Sequence, residues 1–61
     1  MSIHEILRRS VSVDVALRMM TRHGFELSGG WYVRGGERLT RQHIEALHRV
    51  YRRVAEKGAA R

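Results

Sequence analysis

Eleven of the twelve basic residues in this chain are arginines, and several recur at spacings that gather guanidinium groups on one side of an element. Arg18 and Arg22, four residues apart, share a helical face with Asp14 and Thr21. A guanidinium on such a face can pair bidentately with guanine or grip a phosphate. These four residues, with Ser12 just ahead of them, therefore form a candidate DNA-reading set. Arg34 and Arg38 bracket Gly35-Gly36, so at least one of them is expected to project from a turn, where it can enter a minor groove or clamp phosphates. Arg41, Arg52 and Arg53 are further candidate phosphate contacts. Plainer roles compete at each position. Asp14 and Arg18 form an i, i+4 pair, arginines beside a turn keep an edge strand soluble, and Glu45 can pair with Arg49 while basic residues complement the end of a helix.

Other chemistries find little support. His43 and His48 are five apart, which turns them away from each other on a helix, unlike the i, i+4 spacing of helical zinc pairs. His4 and His23 have no carboxylate or second histidine at ligand spacing, and cysteine is absent. Gly29-Gly30 and Gly35-Gly36 flank strand-like runs and lack the Lys-Ser/Thr that completes a phosphate loop. No catalytic residue, metal or cofactor is therefore expected, and the chain reads as a binding module.

With 61 residues there is room for one small domain, expected over residues 1–57 with a polar tail at 58–61. Twelve basic against six acidic residues give a net charge of +6, which points to a polyanionic partner, although a GC-rich genome would also enrich arginine. The lack of cysteine fits a reducing cytoplasmic setting, and nothing in the sequence predicts a membrane span.

The elements that must position the arginines are three helices and a glycine-rich strand region. Ser2-Ile3-His4-Glu5 has capping-box spacing and predicts a short helix to about Arg9, followed by an extended break at Ser10-Val11-Ser12. Val13, Ala16, Leu17 and Met20 form the apolar stripe of a second helix, about Val13 to His23, closed by Gly24. Phe25-Glu26-Leu27 and Trp31-Tyr32-Val33 are β-prone, and two registers are open: a hairpin turning at Gly29-Gly30, or one at Gly35-Gly36 with Arg38-Leu39 returning. Trp31 and Tyr32, being adjacent, must face opposite sides. Thr40 then caps the longest helix, about Arg41 to Lys57, whose stripe is Ile44, Leu47, Tyr51 and Val54. An α+β fold in the order helix, helix, β-hairpin, helix follows.

Taken together, the run Ser2 to Ser10, the Val11-Ser12-Val13 turn, Ala16-Leu17-Arg18 and the closing Gly24-Phe25 resemble the helix-turn-helix half of MerR-like and excisionase-like winged helices. Gly36-Glu37-Arg38-Leu39-Thr40 and Ile44-x-x-Leu47 look like that family's wing and following helix. The turn is one residue shorter than the family's, and Glu37 stands where its wing tyrosine would. The resemblance implies a small winged-helix-like, DNA-binding transcriptional regulator or recombination directionality factor of phage, plasmid or bacterial origin. By it, Arg18 and Arg22 read bases or phosphates and Arg38 is the wing arginine. Double-stranded DNA is then the partner, with a second copy or a cooperative array alongside. The alternative is a protein-interaction module, such as a phage-encoded inhibitor docking on a host protein through Ile44, Leu47, Tyr51 and Val54.

Overall fold

Three hydroxyl oxygens start the three helices. Ser2 Oγ accepts from the Glu5 amide at 3.2 Å, Ser12 Oγ from the Val15 amide at 3.3 Å and Thr40 Oγ1 from the His43 amide at 3.1 Å. Each satisfies an amide that the first helical turn leaves without a partner. In the computed structural model, which describes the backbone of residues 1–59 and side chains through residue 55, these caps open α1 (Ile3–Arg9), α2 (Val13–Arg22) and α3 (Arg41–Ala59). The carboxylate of Glu5 faces Arg9 at 3.9 Å. Helix α3 runs past Lys57, where the sequence predicts its end; residues 60 and 61, the remainder of the expected tail, lie outside the described residues.

Gly24, at φ 96°, closes α2. Its amide donates to the Thr21 carbonyl at 3.3 Å and the Phe25 amide donates to the Met20 carbonyl at 2.9 Å, the paired bonds of a Schellman closure. Phe25 thereby joins Met20 in the core. An alanine at position 24 would have to hold the same left-handed backbone with its Cβ 3.5 Å from Arg34 Cδ. Gly24→Ala should therefore lower stability by about 1–2 kcal/mol, read as a lower urea midpoint at unchanged slope.

The chain reverses at both glycine pairs, so the single hairpin expected from the sequence is one half of a three-stranded antiparallel sheet in the order β1-β2-β3. The strands are β1 (Glu26–Ser28), β2 (Trp31–Arg34) and β3 (Glu37–Thr40). Each glycine pair is a complete two-residue loop, which is why neither excludes the other. Gly29 and Gly30 are both left-handed, at φ 56° and 84°, as a type I′ turn requires, whereas of the second pair only Gly35 is, at φ 57°, the pattern of type II′.

Pairing of Tyr32 with Leu39 and Arg34 with Glu37 fixes the register of the second turn. Because side chains alternate, Leu27, Tyr32, Arg34, Glu37 and Leu39 share the face turned to the helices, and Trp31, Val33, Arg38 and Thr40 share the outer one. The core joins Ile3, Ile6 and Leu7 of α1 to Ala16 and Met20 of α2, Phe25, Leu39 and Ile44. Tyr32 packs against it, and Trp31 stays 40% exposed.

Two polar ties fasten α3 to the first helical segment. His48 is buried, with Nε2 3.0 Å from the Ser10 carbonyl oxygen. A carbonyl only accepts, so Nε2 carries the proton and donates. Ser10, fully buried, donates its own hydroxyl to the Leu7 carbonyl at 3.1 Å. His4 Nδ1 and the Tyr51 hydroxyl form the second tie.

Candidate nucleic-acid interface

The stripe Val13, Ala16, Leu17 and Met20 turns α2 onto the core. The opposite face, Asp14, Arg18, Thr21 and Arg22, is exposed throughout, as its spacing predicts. Arg18, Thr21 and Arg22 line a shallow groove floored by half-buried Val15 and Met19. Thr21 donates its hydroxyl to the Leu17 carbonyl at 3.1 Å, which leaves the oxygen able only to accept. Ser12 is half-buried and acts as the α2 cap, so its oxygen is already engaged by the Val15 amide. Asp14 lies 3.9 Å from Arg41, across from α3, and this replaces the expected Asp14–Arg18 pair. Both groups are well exposed, so the contact contributes little. Among the described residues Arg18 and Arg22 have neither an ion pair nor a side-chain hydrogen bond.

Arg34, one of the two candidate contacts beside the second turn, does not project from it. Its Nε and Nη2 donate to Glu37 Oε1 at 3.1 and 2.9 Å, and Nη1 donates to the carbonyls of Met1 and His23 at 2.9 and 3.0 Å. The guanidinium also lies 4.3 Å above the centre of the Phe25 ring. Register is the cause, since position 34 shares the inward face with Tyr32 and Leu39. Arg38, on the outer face, stays exposed, 5.0 Å from the ring centre of Trp31. Of the two arginines flanking the turn, only Arg38 is open to a partner. Trp31 as its platform was not anticipated, although the Trp31–Thr40 and Val33–Arg38 pairing places both side chains on one face.

On α3, Arg41 Nε donates to Glu45 at 3.1 Å, so the carboxylate expected to pair with Arg49 is held one turn earlier. Arg49, Arg52 and Arg53 line a cavity of about 560 Å³ together with Val13, Glu45 and His48, where the start of α2 meets α3. The apolar stripe of this helix serves the domain itself. Ile44 is buried and Leu47 and Tyr51 pack against the core; Val54, at 62% exposure, is the one stripe member left to solvent. A continuous docking surface of Ile44, Leu47, Tyr51 and Val54 is therefore absent from the described residues.

Among the described residues no three metal-ligating side chains cluster, and no helix is long and apolar enough to cross a membrane. No protein-family model, curated protein or solved structure matches the chain.

Proposed function

We propose that this chain is a double-stranded DNA-binding module that lays α2 in a major groove and brings Arg38 against the adjoining strand. The observation that carries the proposal is the division among its arginines. Arg34 and Arg41 donate to Glu37 and Glu45, whereas Arg18 and Arg22, among the arginines without an ion pair in the described residues, stand together on an uncovered face of α2. Guanidinium groups four residues apart on such a face match the donor geometry that guanine edges and phosphates accept. With α2 held from behind by Ala16 and Met20, its outward side chains come from a fixed scaffold. One module of this size covers little DNA, so site-selective binding calls for a second copy or a cooperative array. Transcriptional regulation and control of recombination direction are the roles that suit such a reader. The competing reading, a module docking on a host protein, loses its principal support because Ile44, Leu47 and Tyr51 are engaged internally.

A titration of the purified protein against the DNA upstream of its own gene and against random-sequence DNA, at two salt concentrations, tests the proposal. Submicromolar binding to the upstream DNA, well above the random control and weakening with salt, is expected. Equal, weak and salt-erased binding to both would mean that the net charge of +6 only keeps the protein soluble.

A further inference from the structure

The cavity between α2 and α3 holds a concentration of charge that folding does not explain. Arg49, Arg52 and Arg53 occupy positions i, i+3 and i+4, so their side chains rise from neighbouring points on one helix and line the same open groove of about 560 Å³. Two structural reasons for basic residues there fail. Interaction with the helix dipole is confined to the last turn, and α3 continues to Ala59, beyond the reach of Arg49 and Arg52. Glu45, which shares the lining, is held by Arg41 at 3.1 Å. With Glu45 in the lining and Glu56 four residues past Arg52, three guanidinium groups stand against two acids, one of which Arg41 already holds. Like charges gathered this way repel each other, and an anion placed among them relieves that repulsion.

Apart from Glu45, the rest of the lining is compatible with an anion. Val13, the first residue of α2, lines the cavity, so the positive end of the α2 dipole adjoins it. His48 forms part of the lining with its Nε2–H already donated to Ser10, which leaves the ring fixed in place.

We propose that Arg49, Arg52 and Arg53, with the first turn of α2, form a seat for a tetrahedral phosphoryl oxyanion. Guanidinium forks match the paired oxygens of such a group, and the arrangement offers several forks to one centre. Assigning the seat to the backbone phosphate of a DNA strand rests on the reading above, because the seat lies at the N-terminal end of the same helix that carries Arg18 and Arg22. Its preference for an oxyanion does not depend on that reading.

The test is a titration of ¹⁵N-labelled protein with pyrophosphate, at ionic strength held constant with sodium chloride, and separately with a short DNA duplex. Pyrophosphate should shift the Val13 amide and the Arg49 and Arg52 Nε–H resonances saturably. The shifts should vanish in Arg49→Gln/Arg52→Gln and persist in Arg18→Ala/Arg22→Ala. Arg49 and Arg52 are exposed, so the glutamine variant should keep its native spectrum elsewhere. For the duplex, losing two phosphate contacts should reduce the slope of log affinity against log salt by about 1.8. Pyrophosphate binding with that reduced slope assigns the seat to a DNA strand. Pyrophosphate binding with an unchanged slope, or without any duplex binding, assigns it to a free phosphate compound and upholds the seat even if the DNA reading fails. Shifts that do not saturate, or that survive in Arg49→Gln/Arg52→Gln, would overturn it.

Discussion

Arg34→Ala should destabilise the domain by about 2–3 kcal/mol, although the residue lies beside a surface turn. One guanidinium joins three parts of the chain: the Met1 carbonyl ahead of α1, the His23 carbonyl at the end of α2 and the Glu37 carboxylate of β3. Its side chain is 26% exposed and covers the Phe25 ring. Truncation removes the charge-assisted bonds and the cation–π contact at once, and leaves the His23 carbonyl and Glu37 without their donor. Glu37 is 43% exposed, so water recovers part of this loss, which holds the expected cost below that of a fully buried pair. For a core of this size, which rarely supplies more than about 3–5 kcal/mol, the loss is most of the stability. The thermal midpoint should fall by about 10–20 °C. Arg34→Lys should recover less than half, since an ammonium cannot reproduce a planar fork. A fall of under about 2 °C in Arg34→Ala would show the clamp to be an ordinary surface pair.

Arg18→Ala/Arg22→Ala should have the opposite profile, with stability kept and DNA binding lost. Both side chains are exposed and touch no described partner, so the fold should change by less than about 0.5 kcal/mol. Each bidentate contact with a base is worth about 1–3 kcal/mol, so removing both should weaken binding by at least about 30-fold. Discrimination against random DNA should collapse with it, because a phosphate-only interface does not read sequence. Matched thermal midpoints and a titration against the upstream DNA check both halves. Affinity within threefold of the unsubstituted protein, on an intact fold, would remove α2 from the interface.

Helices and caps were legible from the sequence because they depend on local spacing. Ser2, Ser12 and Thr40 cap the predicted starts, and the Val13, Ala16, Leu17 and Met20 stripe fixes which face of α2 remains outside. The strand region was harder, since two glycine pairs in succession leave the number of strands open until pairing partners are known. That ambiguity carried over to Arg34. In one register it is a fingertip and in another a clamp, and a shift of one residue exchanges the two faces. Alternation outward from Tyr32 and Leu39 places Arg34 and Glu37 together on the inward face, which was the available signal. Ion-pair partners on α3 were equally undecidable. Glu45 has an arginine one turn away in either direction, and only the three-dimensional arrangement places it with Arg41. His48 follows Leu47 and lies four residues past Ile44, yet its buried bond to Ser10 spans a sequence separation that no local pattern reveals.

The place of α3 in the chain has a consequence during synthesis. The two hairpins and the α1–α2 pair join elements that are neighbours in sequence, whereas α3 must dock back onto α1 and α2. At a ribosomal rate of about 5–20 residues per second, the 19 residues of α3 take about 1–4 s to add. Until α3 is complete and docked, Ile6, Leu7 and Met20 lack the contact with Ile44 that completes their core. Hairpins and short helices form in microseconds, so the nascent chain waits as a half-built platform with an apolar face uncovered. Once made, α3 carries the closing stripe on a strongly basic helix, and its charge keeps apart those chains in which it has not yet docked.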